Sequence, residues 1–186
     1  KFIEISKFGG LSFDADASDA FYGCSNLVIT ATDAPDTSIT DNFFWMFHEG
    51  SSLTSIPLLD MSLGESYFGM FTDCISIVTL PDLDFSNNSP DSNKYRALFY
   101  GMTSLTTLDN CTFGLSNSDA RIIFRNCESL LTIPTIDFSN CTRLGGSFQN
   151  CESITTFPVI DCSGVYDFAN GWRDCESLST FPVLDM

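Results

Sequence analysis

Positive charge and histidine are scarce in this chain. Its 186 residues hold 8 Lys and Arg against 24 Asp and Glu, with one histidine and a formal net charge of −16. Nucleic-acid binding draws its affinity from clustered Lys and Arg, and the basic residues here form no such cluster, which excludes that class. The same deficit argues against docking on anionic lipid. No run approaches the ~18 apolar residues of a spanning helix, so membrane insertion is not expected, and no basic-plus-apolar signal segment opens the chain. With His48 as the sole histidine and no Cys-x-x-Cys pair, zinc-ligand spacing is missing. Nucleophile-elbow and phosphate-loop patterns are missing too. An enzyme needs convergent polar groups in a pocket. None is legible, so the chain reads as a non-enzyme with neither cofactor nor metal. The acidic excess favours a soluble, self-repelling surface suited to salty surroundings or cation-mediated contacts.

What is present is repetition. Seven times an aromatic is followed three residues later by a small or sulfur residue, and three further on by an aliphatic: Phe21/Cys24/Leu27, Phe47/Gly50/Leu53, Phe71/Cys74/Ile77, Phe99/Met102/Leu105, Phe124/Cys127/Leu130, Phe148/Cys151/Ile154 and Trp172/Cys175/Leu178. The middle members are 26, 24, 28, 25, 24 and 24 residues apart. A period of this size predicts a solenoid whose units bury their apolar faces only by stacking. The expected organisation is one repeat domain over 1–186, with 1–16 as a divergent N-terminal coil in which Phe2, Ile3, Ile5, Phe8, Leu11 and Phe13 lid the core. The array breaks off in mid-repeat at 186, as expected of a piece of a longer protein.

Within a repeat, an apolar residue four before the aromatic (Phe43, Tyr67, Tyr95, Leu144, Phe168) completes an i, i+4, i+7 face and predicts a short helix. Ala17 and Ala120 weaken that position in two coils. Next comes a Ser/Thr-rich aliphatic segment closed by proline: Ser52 to Pro57, Ser76 to Pro81, Ser129 to Pro134, Ser153 to Pro158 and Ser177 to Pro182. Its composition predicts a strand that ends at the proline. The fold class expected is therefore an α/β leucine-rich-repeat solenoid of about seven coils, with short parallel strands forming one sheet face and short helices on the other. Asp60, Asp84, Asp137, Asp161 and Asp185 follow, most with Ser two residues on, as in an Asx-type turn or N-cap. The alternative is a carboxylate ladder collecting Ca²⁺ between coils. The polar insertion Asn87 to Asn93 maps to a loop on the solenoid edge.

Eight cysteines suggest a disulfide framework, but five of them (Cys24, Cys74, Cys127, Cys151, Cys175) share one position that also accepts Gly50 and Met102. Cys111, Cys141 and Cys162 fall where other repeats carry aliphatic or aromatic residues. All eight read as buried packing residues, and stacked rungs give poor bridge geometry. His48 aligns with Tyr22, Thr72, Tyr100, Arg125, Gln149 and Arg173, a variable position expected at the surface of the helix. Glu128, Glu152 and Glu176 form a regular acidic row, read as a solvated face. Between the aliphatics of each strand lies a column of hydroxyls: Ser55, Thr79, Thr107, Thr132, Thr156 and Thr180. Pointing outward, it offers a flat ligand-binding sheet face, although Thr also simply favours strands.

The Phe-x-x-Cys-x-Ser-Leu-x-x-x-Pro-x-x-Asp-x-Ser repeat resembles the BspA-like leucine-rich-repeat surface proteins. So do Ile5-Ser6-Lys7-Phe8-Gly9-Gly10 and Ala20-Phe21-Tyr22-Gly23-Cys24-Ser25-Asn26-Leu27. The variant with Trp172 and Cys175-Glu176-Ser177-Leu178 is similar to repeats in structural proteins of marine bacteriophages. The fourth repeat departs from the pattern, with Leu108-Asp109-Asn110 in place of proline and Thr112 at the Asp position; the second lacks Cys. The resemblance implies a leucine-rich-repeat solenoid and an extracellular role in adhesion or receptor recognition, at a bacterial cell surface or in a phage tail or fibre. The expected partner is a host-surface glycan or protein, with other copies or subunits of a larger assembly as further partners. The alternatives are a structural virion or envelope spacer without its own ligand, and ice binding through the threonine ladder.

Overall fold

The computed structural model describes residues 3–87, 93–115, 119–133, 136–181 and 184–185. Consecutive repeats lie side by side and parallel, but they are coils of successive turns. In the second repeat every other amide crosses to the third: Phe43 N–H donates to Ser66 O at 2.9 Å, Trp45 to Phe68 O at 3.0 Å, Phe47 to Met70 O at 2.9 Å and Glu49 to Thr72 O at 2.8 Å. The amides between them close local turns three residues long: Met46 N–H to Phe43 O at 3.2 Å, His48 to Trp45 O at 3.1 Å and Gly50 to Phe47 O at 3.0 Å. Trp45 and Glu49 have φ of 50° and 60°, each at the third position of its turn, where a type II turn requires a left-handed residue. The same alternation recurs at 67–74, 97–102, 120–127 and 144–151.

This corrects the expected fold class. Among the described residues there is no helix, and six strands of two or three residues form three separate two-stranded sheets. Strand β1 (Ile3–Ile5) pairs parallel with β2 (Leu27–Ile29), β3 (Asp84–Phe85) with β4 (Thr112–Phe113), and β5 (Ile160–Asp161) with β6 (Leu184–Asp185). The chain is therefore not an α/β solenoid with helices on one face and one sheet on the other. An α-helix keeps its amides for the carbonyl four residues back; here half of them are given to the neighbouring repeat. The residues placed on the expected helix face are buried all the same, Phe43, Phe47, Tyr67, Phe71, Leu144 and Phe148 among them. Turns closing every two residues bring positions i, i+4 and i+7 inward as a helix would.

The Ser/Thr-rich segments expected to be strands form no strand among the described residues, apart from Leu27–Ile29 in the first repeat. They carry scattered cross-repeat bonds that run the other way, from later repeat to earlier: Thr106 N–H to Val78 O and Leu131 N–H to Thr106 O, both 3.0 Å. Pairing moves instead to the Asp positions after the prolines. Pro134 and Pro182 lie outside the described residues, as do Phe2, Met186 and 88–92 of the polar insertion. That insertion's flanks are tied down by buried Lys94, whose Nζ donates to Gly64 O (2.7 Å) and Asn87 O (2.5 Å) over the Tyr67 ring. In the first coil Phe8 is buried and Ile5 and Phe13 pack on the core, while Ile3 and Leu11 face solvent.

The core runs the length of the stack as a column of rings. Phe21, Phe47, Phe71, Phe99, Phe124, Phe148 and Trp172 stack in that order, with centroid spacings of 5.3, 5.7, 6.0, 5.5, 5.7 and 5.7 Å and interplanar angles no larger than 21°. Phe85, Phe113, Phe138 and Phe157 meet the column edge-on. Offset and edge-on arrangements both satisfy the ring quadrupole, each adding about 0.5–1.5 kcal/mol beyond the area buried.

Candidate functional site

The hydroxyl column occupies the extended segment just before the proline position. Ser55, Thr79, Thr132, Thr156 and Thr180 are exposed and Thr107 is half-buried. They line an irregular extended edge, because the sheet expected to present them does not form. Their neighbours use hydroxyls to bind repeat to repeat: Ser76 Oγ donates to Ser51 O (2.6 Å), Thr106 Oγ1 to Val78 O (3.2 Å) and Ser179 Oγ to Thr155 O (3.0 Å). Among the described residues, only Thr107 Oγ1 of the column is engaged, accepting the Asp109 amide at 3.2 Å. The other five hydroxyls make no hydrogen bond among the described residues. Val78 and Leu131 stand beside Thr79 and Thr132, 49% and 55% exposed, so the edge offers apolar surface next to free hydroxyls.

The recurrent carboxylates cap turns. Asp60, Asp84, Asp137 and Asp161 each accept the backbone amide of the Ser two residues on, at 2.9–3.0 Å. Hydrogen bonds from Ser86 and Thr112 hold Asp84 below the ordinary carboxylate range, and those from Ser139 do the same for Asp137. An open groove lies beside Asp36, Asp60, Asp82 and Asp84. Among the described residues no group of three or more His, Cys, Asp or Glu side chains converges as metal ligation requires, so the calcium alternative finds no coordination cluster to work with.

The cysteines are free thiols, six of them buried. Cys74, Cys127, Cys151 and Cys175 each direct Sγ at the carbonyl of the preceding repeat's column residue, at 3.1, 3.1, 3.1 and 3.0 Å. A weak S–H donor therefore adds a second bond to a core carbonyl that already closes its own local turn, a role neither Gly50 nor Met102 can fill. Burial pushes the Cys74 thiol up to about 12 and lifts Cys127 and Cys151 well above the free value. These are not nucleophiles.

His48 is not the surface residue expected. Its side chain is 15% exposed, edge-on to Tyr22 (4.9 Å) and Trp45 (5.1 Å), with Nδ1 buried and unpartnered among the described residues. Glu128, Glu152 and Glu176 are exposed, as a solvated row should be.

Sequence reasoning followed the position one after each column residue, that of His48, but passed over the one three before it, also at the tips of the turns. In the second and third repeats that earlier position holds Phe44 and Phe68, which stack at 5.2 Å, while Trp45 lies tilted against Phe44 at 4.7 Å and meets Tyr22 of the first repeat at 5.6 Å. In the fourth and fifth repeats it holds Arg96 and Arg121, and Arg125 and Arg173 stand one after the column residue in the fifth and seventh. All five arginines of the chain lie in or next to these turns. Alignment by column residue would have shown both facts.

No family model, curated protein or solved structure matches this chain. The resemblance to BspA-like proteins therefore gains no support from them. The leucine-rich-repeat reading is withdrawn with the helical solenoid, and the adhesion and virion terms drawn from the resemblance have no support in the comparisons.

Proposed function

We propose that this protein is a non-enzymatic binding module whose hydroxyl edge (Ser55, Thr79, Thr107, Thr132, Thr156, Thr180) contacts a glycan or protein displayed on a cell surface, acting outside the cell. The observation that carries this reading is the idleness of those hydroxyls. Ser76, Thr106 and Ser179 beside them bridge repeats through their hydroxyls, whereas five of these six are exposed and unbonded among the described residues. A regular row of free donors and acceptors flanked by Val78 and Leu131 suits a partner that presents both hydroxyls and apolar ring faces.

The test replaces Thr79, Thr132 and Thr156 together with Lys. Exposed substitutions cost within about 0.5 kcal/mol each, so circular dichroism should show an unchanged fold. Binding to a glycan array and to intact cells should be lost through bulk and unpaired charge. Lys at Glu128, Glu152 and Glu176 should leave binding in place. A triple-Thr variant that binds as well as the parent sinks the proposal. If the parent itself binds nothing, the unbroken ring column favours a second reading, a rigid spacer without its own ligand.

A further inference from the structure

The hydroxyl edge is a ladder with a defined step. Its rungs are successive repeats, and the ring column behind them climbs by 5.3 to 6.0 Å per repeat with interplanar angles no larger than 21°. Near-parallel rungs carry that step out to the edge, where Thr106 N–H donates to Val78 O and Leu131 N–H to Thr106 O, both at 3.0 Å. Each repeat from the second to the seventh presents one hydroxyl there, from Ser55 to Thr180. Beside this column the exposed aliphatics Val78 and Leu131 stand two rungs apart, with Thr106 between them.

One rung differs. The fourth repeat carries Asp109 where the third and fifth carry Pro81 and Pro134. A notch of about 40 Å³ opens there, lined by Thr79, Leu80, Thr107, Leu108, Asp109 and Asn110. Leu80 and Leu108 are buried and form an apolar floor, while Asp109 and Asn110 are exposed at the rim. The side chains of Asp109 and Asn110 make no hydrogen bond among the described residues. Thr107 Oγ1 accepts the Asp109 amide, which leaves its own O–H to donate.

We infer that the edge takes an extended β-1,4-linked glycan laid along the stack, one sugar per rung, with the acetamido group of an N-acetylated amino sugar seated in the notch. This rests on the reading of that edge as the binding surface and names its ligand class. A β-1,4-linked chain is a flat ribbon that advances per sugar by nearly the step of one repeat. It also turns over at each linkage, so its apolar faces recur every second sugar, the interval between Val78 and Leu131. An α-1,4-linked chain coils and loses that register. In the notch the acetamido methyl lies on Leu80 and Leu108, its N–H donates to the Asp109 carboxylate, and its carbonyl accepts from the Asn110 amide. A few placed polar groups around an apolar floor are what a small-ligand site requires. The net charge of −16 repels uronate-bearing and sulfated chains, so the polymer that fits is uncharged.

Isothermal titration calorimetry of the whole chain with N-acetylated chito-oligosaccharides tests this. Affinity should rise at least about tenfold from two sugars to six, as more rungs are engaged. Cellohexaose keeps the linkage but lacks the acetamido group, and should bind at least about tenfold more weakly than the N-acetylated hexamer. Maltohexaose, α-linked, should not bind. Asp109→Ala and Asn110→Ala should each weaken the N-acetylated hexamer and leave cellohexaose unchanged, with circular dichroism confirming the fold. Lys at Thr79, Thr132 and Thr156 should abolish binding of both. A hexamer no tighter than the dimer overturns one sugar per rung. Cellohexaose binding as tightly, or neutral substitutions at both Asp109 and Asn110, overturns the notch. Binding that survives the triple Lys variant puts the ligand elsewhere and overturns the whole. If no oligomer binds but cells or a glycan array still distinguish the parent from that variant, this inference falls and the binding edge stands. A parent that binds nothing in any of these assays removes both.

Discussion

The cysteine that recurs once per repeat shows how far a single residue can be read from sequence. Its exchange with Gly50 and Met102 marks it as a packing position, and burial of Cys74, Cys127 and Cys151 agrees. Its bond to the preceding column carbonyl could not be read, because that carbonyl is approached only once turns replace the helix. The thiols also set the alkaline limit of stability. Folding raises their proton affinity, so the unfolded chain binds fewer protons once pH exceeds its own thiol range. Stability is then complete below about pH 9 and falls as pH rises toward the folded values, about 12 for Cys74 and about 11 for Cys111, Cys141 and Cys162. Each fully buried thiol should cost about 1.4 kcal/mol by about pH 10. Thermal melts should show a steep loss between about pH 9 and pH 11, shallower in Cys127→Ala. At neutral pH a disulfide-exchange reagent should leave Cys74, Cys127 and Cys151 untouched in the native protein. In denaturant without reductant it should titrate all eight thiols; fewer would mean that disulfides exist.

At the scale of the element, the helix expected over each i, i+4, i+7 stretch failed for a reason the sequence does display. Two positions after the column residue stand Gly23, Glu49, Asp73, Gly101, Asn126, Asn150 and Asp174, nearly all residues that tolerate positive φ, and all seven have it. A left-handed residue every repeat, just where a helix interior would lie, is a turn signal; apolar periodicity outweighed it. The same signal is mixed two positions before the column residue, where Asp19, Gly69, Gly146 and Asn170 alternate with Trp45, Ala97 and Ile122. A β-branched residue is the poorest fit to that conformation. Ile122, at φ 54° and half-buried, should therefore gain from replacement: Ile122→Asn is expected to be neutral or stabilising by up to about 1 kcal/mol in urea titration. Gly69→Ala should do the reverse, since at φ 58° its Cβ would lie 2.5 Å from the Trp45 ring. A loss under about 0.5 kcal/mol there would mean the turn geometry is misassigned. The Asx turns at Asp60, Asp84, Asp137 and Asp161 were legible, because Asp-x-Ser needs only local backbone to form, although the same turns at Asp16 and Asp36 were passed over.

Across the whole molecule, the repeat period foretold that neighbours would stack, and the aromatic triplets foretold what would lie inside. The means by which backbone amides would be satisfied was not legible. A chain of turns and a helix bury the same side chains, and they differ only in whether amides bond within a repeat or across to the next. The difference matters for energetics. Helices packed on a sheet would let a repeat hold part of its own structure, whereas here half the turn amides of each repeat depend on its neighbour. Stability is then dominated by interfaces between repeats. Phe148 sits at such an interface, 5.7 Å from both Phe124 and Trp172 in the column and edge-on to Phe138 and Phe157. Phe148→Ala should cost about 3–5 kcal/mol by urea denaturation, as for a large ring lost from a packed core. The loss should also be uneven along the stack. Amide protection should fall first at Asn126, Asn150 and Leu144, whose bonds bridge the affected coils, while Phe47 and Phe71 keep theirs. A cost below about 1 kcal/mol would mean the ring does not face the core. Protection lost equally from end to end would mean the stack folds as one cooperative unit, with no nearest-neighbour character for a single ring to interrupt.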